Sequence, residues 1–203
     1  IAYTLQNLGV AYWLDDRGVI QITRTQAFGN FDNATASRNV QPVIDLMRTK
    51  VIDSTAYKSR NQYRLYGSDG SGVIMTISYG RYGPEFAFTT FQYPVNVTCA
   101  WNGEDADGKF IVFFGTDTGM VYQADKGSSF DGSAIEAYLR LPFNHSKAPN
   151  LIKSYRRAQM EMTAVGYCAI RFHPEFSYGD PAVSTHLLNT VSVQGSGGYW
   201  DID

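Results

Sequence analysis

The stretch YRLYGSDGSGVIMTI, residues 63–77, consists of an apolar strand, a turn that contains aspartate and ends in glycine, and a second strand. Glycine supplies the positive φ that tight hairpins need, and the aspartate side chain can accept hydrogen bonds from turn amides. The same order of features recurs in YWLDDRGVIQI, residues 12–22, and in FIVFFGTDTGMVYQA, residues 110–124. We therefore predict β-hairpins at Tyr12–Ile22, Tyr63–Ile77 and Phe110–Gln123.

The spacing of the three hairpins suggests an internal repeat. The predicted structural turn residues are Asp16, Gly18, Asp69, Gly72, Asp117 and Gly119. Successive turn glycines lie 54 and 47 residues apart along the chain. A repeat of about 50 residues built on strand–turn–strand units is typical of four-stranded propeller blades. Three unrelated hairpins in a β-sandwich are the alternative interpretation.

The apolar residues of other segments also repeat with a period of two, as in a strand with one buried face. The most regular case is residues 135–141, where the apolar positions alternate with Glu136, Tyr138 and Arg140. We therefore predict a half-buried strand at Ile135–Leu141.

One short helix is predicted around Pro42, because proline suits the first turn of a helix. A cap at or near Asn39 would precede it, and Val43, Leu46 and Met47 would lie on one side of it. The helix is too short to change the overall class, since strand periodicity dominates the rest of the chain.

The predicted fold class is therefore all-β, with β-propeller-like four-stranded blades, an additional β layer and one short helix. The repeated hairpin pattern is absent after Gly127, and we place a soft boundary near Lys126. Residues 1–126 would form the blades, and residues 127–203 would form the additional β layer and an assembly segment.

The composition excludes two broad classes of protein. Charged residues make up 18 % of the chain, below the roughly 25 % usual in soluble domains, and aromatic residues make up 14 %, unlike a disordered tail. With 17 Lys and Arg against 19 Asp and Glu, the chain has no excess of cations for general binding to nucleic-acid phosphates.

No apolar run approaches the roughly 18 residues of a membrane span. No signal peptide is visible in the sequence that begins at Ile1, and we expect the chain to be a fragment of a longer polypeptide.

Motifs of catalysis and cofactor binding are not found in the sequence. The glycines of residues 67–72 lead into a strand, whereas a phosphate-binding loop opens a helix. The acidic segment GEDADGK, residues 103–109, lacks the glutamate and helices of a calcium loop, so we predict a solvated hairpin tip. Cys99 and Cys168 lie in apolar runs and are predicted to be buried thiols. We predict no catalytic residue, no cofactor and no metal site.

Three stretches resemble one family of proteins. They are NQYRLYGSDGSGVIM (residues 61–75), FFGTDTGMVYQADKGSSFDGSAIEAYLRLPFNH (residues 113–145) and RRAQMEMTAVGYCAIRFHPEFSYGD (residues 156–180). Together they resemble virion proteins of short-tailed bacteriophages, of the tail-hub, stopper or nozzle type. The resemblance implies a structural protein located in the virion tail, with no catalytic residue to carry over.

The same resemblance implies the partners. The chain would form a homo-oligomeric ring, expected to be a hexamer, below the portal and around the channel through which DNA is ejected. It would contact other tail and portal-adaptor proteins, let DNA pass without specific binding, and have no membrane partner.

Two other functions are compatible with the sequence. The Asp-containing turns are similar to the Asp boxes of sialidases, so a carbohydrate-binding or glycoside-hydrolysing β-propeller is the main alternative, with Trp13, Trp101 and Trp200 as aromatic candidates. A pocket with two carboxylates about 5–10 Å apart under a tryptophan would favour it. Carboxylates dispersed over hairpin tips would favour the structural role. A soluble bacterial adaptor protein is a third possibility.

The segment Gly127–Asp180 is predicted to carry contacts between subunits or with other proteins. It concentrates positive charge in a slightly acidic chain and contains a proline-flanked aromatic loop. The candidate contact residues are Lys147, Lys153, Arg156, Arg157, Phe176 and Tyr178. The alternative is a solvated basic loop whose neighbouring aromatics cover the end of their own β layer.

Overall fold

The computed structural model describes residues 3–22, 35–81, 83–144, 147–148, 151, 158–162, 167–175, 189–194 and 198–202. Over these ranges the chain forms short antiparallel sheets and one α-helix, α1 (Gln41–Arg48), which confirms the all-β prediction. Two 3-10 helices lie at Arg38–Val40 and Lys58–Arg60. The chain divides into two compact units, residues 1–136 and 137–203.

The described strands of the first unit are β1 (Gln6–Asn7), β2 (Ala11–Asp15), β3 (Gly18–Gln21), β4 (Val51–Tyr57), β5 (Gln62–Gly67), β6 (Ser71–Gly80), β7 (Gly83–Gln92), β8 (Val97–Glu104), β9 (Phe110–Thr116), β10 (Val121–Gln123), β11 (Ser129–Phe130) and β12 (Ser133–Ala134). They form the sheets β1-β2-β3, β4-β5-β6-β7 and β10-β9-β8 and the pair β11-β12. The three predicted hairpins are the β2–β3, β5–β6 and β9–β10 pairs.

The described strands of the second unit are β13 (Ala158–Met162), β14 (Tyr167–Phe172), β15 (Asn189–Gln194) and β16 (Gly198–Ile202). They pair antiparallel as β13 with β16 and β14 with β15.

The four-stranded sheet β4-β5-β6-β7 is covered on both faces. On one face, Leu65 and Met75 pack in a core with Tyr12 and with Ile44 of α1. On the other face, Tyr66 packs in a second core that includes residues of β8 and β9. Because successive side chains of a strand point to opposite faces, the period-two pattern of β5 supplies both cores.

The helix is present as predicted, but its buried side differs. Ile44 and Met47 are buried against the sheet, whereas Leu46 is 77 % exposed. The residue before the helix is Val40 rather than Asn39, and Pro42 lies in the first turn. Since residues three apart share a helix face, Ile44 and Met47 form the buried pair and Leu46 faces away from it.

The predicted boundary at Lys126 lies inside the first unit. Before it, Ala124 is buried in the second core and its amide donates to the carbonyl of Val112 at 2.8 Å. After it, the ring of Phe130 packs edge-on against Tyr93 with centroids 5.8 Å apart. These contacts continue the first unit beyond Lys126.

Candidate functional site

The first predicted turn joins β2 to β3 through Asp16 and Arg17. The guanidinium of Arg48, in the last turn of α1, donates to the main-chain carbonyl of Asp16. Gly18 has a φ of +122°, and a β-carbon there would lie 2.3 Å from the Ser37 hydroxyl. That hydroxyl accepts a hydrogen bond from the amide of Val19 at 3.0 Å, so glycine allows the close approach.

The second turn is organised by Asp69, as the sequence predicts for a turn aspartate. Its carboxylate accepts from the Lys50 ammonium at 2.6 Å and from the Ser71 amide at 3.1 Å. The bond from Lys50, and secondly that from the Ser71 hydroxyl, hold the pKa of Asp69 well below its ordinary value.

The assignment of Gly72 to this turn is corrected. Gly70 has the positive φ, +79°, whereas Gly72 lies within β6 and pairs with Tyr66. A β-carbon at Gly72 would lie 1.9 Å from the ring of Phe91. The missing side chain at Gly72 thus makes room for an aromatic ring of the second core. Sequence reasoning chose the second of two nearby glycines because both are compatible with the hairpin pattern.

The third turn joins β9 to β10. Gly119 has a φ of +80° and its amide donates to the carbonyl of Thr116 at 3.1 Å. The carboxylate of Asp117 accepts a hydrogen bond from the Asn96 side chain at 2.8 Å, so it links this turn to the β7–β8 connection instead of capping turn amides.

The three turns are brought into one continuous series of contacts. Arg48 and Lys50, at and just beyond the end of α1, bond to the first and second turns respectively. The second turn is bonded to the β7–β8 connection, because the amide of Tyr93 donates to the carbonyl of Gly70 at 2.9 Å. That connection holds the third turn through Asn96. The carboxylates of Asp69 and Asp117 and the main-chain carbonyl of Asp16 therefore link the turns to neighbouring elements.

A buried arginine lies on the other side of the four-stranded sheet, away from the first core. The side chain of Arg64, in β5, is only 2 % exposed. Its guanidinium donates to Asp125 at 2.5 Å and to Gln62, and it lies over the ring of Tyr57 at 4.9 Å. Burial acts to lower the pKa of Arg64, but its hydrogen bond to Asp125 and that carboxylate's charge outweigh burial and raise this pKa.

The partner carboxylate follows β10. Asp125 has a φ of +57° and also binds Arg60 at 3.2 Å. Sequence analysis missed this cluster because a charged residue in a strand of alternating polar and apolar residues is expected to lie on the solvent-exposed face. Arg64 and Asp125 are 61 residues apart, and the only local signal is the flanking tyrosines.

A cleft of about 330 Å³ lies beside this cluster. Its lining includes Tyr57, Arg60, Asp105, Lys109, Phe110, Asp125 and Lys126. The carboxylate of Asp105 accepts from the amides of Asp107 and Lys109 at 3.1 and 2.8 Å, which closes the predicted hairpin tip. Both carboxylates of the cleft therefore hold protein groups in place. No tryptophan is among the described residues of the lining.

The predicted strand at Ile135–Leu141 is not formed, and this is a correction. Residues 135–144, which we call the arm, have no regular secondary structure and are exposed throughout. The exposed fractions reach 91 % at Tyr138, 84 % at Leu139 and 73 % at Leu141. A strand needs a hydrogen-bonded neighbour, and no described strand pairs with the arm. Arg140 forms an ion pair with Glu175 at 2.6 Å.

Of the predicted assembly residues, only Lys147 lies within the described residues, where it is exposed and has a φ of +61°. The others, Lys153, Arg156, Arg157, Phe176 and Tyr178, lie outside the described residues. Their proposed contacts stay predictions.

The prediction that Cys99 is buried is wrong. Cys99 is an exposed free thiol on β8, next to an irregularity between Val97 and Cys99 in the pairing with β9. Its sulfur lies close to Gly115, since a β-carbon added at Gly115 would be 2.9 Å from it. The side chain of Cys168 lies outside the described residues.

Among the described residues, no three His, Cys, Asp or Glu side chains are grouped as metal ligands. Within the same ranges, no helix is long and apolar enough to cross a membrane. Comparison with protein-family models, curated proteins and solved structures finds no match.

Proposed function

We propose that this chain is a non-enzymatic assembly subunit of a bacteriophage tail, of the hub or nozzle type, and that it acts by forming a ring with copies of itself. The observation that carries the assembly role is the arm. It presents a period-two apolar pattern to solvent, and exposed apolar groups of this extent mark interaction sites.

The phage-tail context comes from the resemblance of three stretches of the sequence to virion proteins, and the fold supports it in one respect. The sheet β4-β5-β6-β7 is a four-stranded antiparallel meander in chain order, as in a propeller blade. We propose that it is one blade of a propeller-like domain, with the linked Asp-containing turns along one side.

The net charge of −2 also suits a wall beside passing DNA, because an acidic surface does not retain phosphates. Other tail and portal-adaptor proteins would be the neighbours of the ring. The virion tail would be its location.

Negative-stain electron microscopy of the purified chain, with sedimentation velocity at several concentrations, tests this proposal. Closed rings with a single subunit number, six being expected, would support it. A monomer at the highest concentration that remains soluble would overturn the assembly role.

A carbohydrate-binding propeller is the second candidate, and the cleft is the observation that favours it. The cleft combines two aspartates with the rings of Tyr57 and Phe110, and aromatic faces with nearby polar groups suit a sugar. Both carboxylates are held by protein donors, however, which favours the structural role. Glycan-array binding by the wild type, lost in Tyr57→Ala, would support this candidate over the first.

A further inference from the structure

We propose that the cleft beside the Arg64–Asp125 cluster binds a monosaccharide that carries a carboxylate, of the hexuronic acid class. The assembly role does not use this cleft. The inference rests on the carbohydrate-binding candidate and names its class of sugar. The described residues that line the cleft all belong to the first unit. Its volume of about 330 Å³ lies at the lower end of the roughly 300–1,000 Å³ usual for ligand pockets, which suits a single sugar ring.

Positive side chains surround the cleft. Arg60, Lys109 and Lys126 line it, and the ammonium of Lys58 lies 5.7 Å from the ring centroid of Phe110, which is also in the lining. Among the described residues, neither Lys109 nor Lys126 takes part in an ion pair. A chain with a net charge of −2 therefore gathers four cationic side chains at this one place. A cleft with an excess of one charge attracts ligands of the opposite charge.

The two acidic residues of the lining do not cancel this positive charge. Asp125 is paired with the buried guanidinium of Arg64 at 2.5 Å, so its charge is balanced from within the protein. Asp105 is then the remaining negative charge among the lining residues that the structure describes. Glu104 and Asp107 are exposed and are not among those lining residues. An excess of positive charge remains for an anionic ligand.

Arg60 is held in a position to bind a carboxylate. Its guanidinium donates to Asp125 at 3.2 Å through one nitrogen and lies over the ring of Tyr57, 5.2 Å from the centroid. A guanidinium has five N–H donors in a planar fork, and such a fork can bind a carboxylate through two parallel hydrogen bonds. The side chain of Arg60 is 54 % exposed, so its other donors can be reached from solvent. Because the side chain is already held, less entropy is lost on binding.

The carboxylates of the cleft supply acceptors for sugar hydroxyls. Both arginine bonds to Asp125 end on its Oδ2, and both amide bonds to Asp105 end on its Oδ1. The second oxygen of each carboxylate can accept a hydrogen bond from a ligand hydroxyl. Phe110, half-buried against the second core, adds an apolar wall for the C–H groups of a sugar ring. A hexuronic acid carries one carboxylate, several hydroxyls and an apolar ring face, which together match these groups.

A sugar phosphate is a poorer match than a sugar carboxylate. A phosphate monoester carries about −1.5 to −2 charges at neutral pH. In the cleft it would meet the carboxylates of Asp105 and Asp125, and like charges brought together are unfavourable. The acidic residues therefore favour a ligand with a single negative charge and several hydroxyl donors.

Titration of the purified chain with small ligands tests this inference, followed by NMR chemical shifts and by calorimetry. At least one of the hexuronates D-glucuronate and D-galacturonate should bind. The matching neutral sugar, D-glucose or D-galactose, should bind at least roughly tenfold more weakly, because it lacks the charged hydrogen bonds. Acetate, which has no hydroxyls, and D-glucose 6-phosphate should be weaker by a similar factor. Equal affinity for any of these controls, or no binding of either hexuronate, would overturn the inference.

Removal of single charges locates the site. Arg60→Gln should weaken hexuronate binding roughly tenfold, and Lys109→Gln or Lys126→Gln roughly threefold. Arg38→Gln is the matched control, because Arg38 lies in the 3-10 helix before α1 and outside the described lining, and it should change binding little. All four side chains are exposed, so urea unfolding should show each variant to be folded. A folded Arg60→Gln variant with wild-type affinity would overturn the inference.

Failure of this inference can be told apart from failure of the proposed functions. Binding of neutral glycans that is lost in Tyr57→Ala, without binding of a hexuronate, would overturn the inference and leave the carbohydrate-binding candidate standing. Absence of all glycan binding would overturn both. Electron microscopy of rings tests the assembly role separately, since that role does not depend on the cleft.

Discussion

Strand β5 and the arm share the same alternation of apolar and polar residues, yet their surroundings are opposite. Leu65 is buried in the first core between β4 and β6, whereas Leu139 is 84 % exposed. Around β5 even a charged side chain, Arg64, is enclosed and paired. In the arm, exposure extends to every residue.

The difference shows that a period of two in the apolar residues predicts a strand that needs a neighbour. It does not identify which part of the molecule, or which other molecule, supplies that neighbour. In β5 the neighbours come from the same chain, within a meander of short connections. No described strand pairs with the arm. The same pattern can therefore stabilise a core or prepare an interface.

The largest expected effect comes from equal truncations in the two regions. Leu65→Ala should lower the free energy of unfolding by about 4 kcal/mol, since it leaves a cavity in a packed core. Leu139→Ala should change it by less than about 0.5 kcal/mol, because the side chain is exposed. Urea unfolding at concentrations where the chain is monomeric measures both. Equal losses would mean that the arm is packed within its own chain.

The next effect concerns the enclosed charge of β5. Asp125→Ala should cost about 3 kcal/mol, because it leaves the buried guanidinium of Arg64 without its carboxylate. Arg60→Ala is the matched control, since it removes the exposed partner of the same carboxylate and should cost less than about 1 kcal/mol. Thermal and urea unfolding would compare them. Similar costs for both variants would show that Arg64 is reached by water.

A smaller loss of stability is expected on replacing glycines, and it should differ between Gly72, which makes room for a ring, and Gly119, which has a left-handed backbone. Gly72→Ala should cost about 2 kcal/mol by displacing the ring of Phe91 from the second core. Gly119→Ala meets open space and should cost only about 1 kcal/mol, from its left-handed backbone. Near-UV circular dichroism should report the aromatic displacement in the first variant alone. An unchanged aromatic spectrum for Gly72→Ala would refute the packing role.

The smallest effect is a pH dependence at the second turn. The pKa of Asp69 is lowered in the folded state, so its contribution to stability is present above the ordinary value of 3.8 and is lost as pH falls below it. Asp69→Asn should therefore destabilise the chain by at most about 1 kcal/mol at neutral pH. The difference from the wild type should shrink steadily as pH falls below 3.8, as measured by unfolding at a series of pH values. A difference that stays constant over that acidic range would assign the effect to something other than ionisation.

The sequence by itself determined the elements that depend on local chemistry. The hairpins follow from alternating residues around turns with aspartate and glycine, as Asp69 and Gly119 illustrate. The short helix follows from Pro42 and the apolar residues after it. These features depend on backbone preferences and on contacts within a few residues, which a single sequence records.

Only the tertiary structure decided which faces are covered. It enclosed Arg64 with Asp125, exposed Cys99, and turned Ile44 rather than Leu46 towards the sheet. It also left the arm in solvent despite its strand pattern. Burial depends on neighbours that lie tens of residues away along the chain. The alternation of polar and apolar residues does not identify those neighbours.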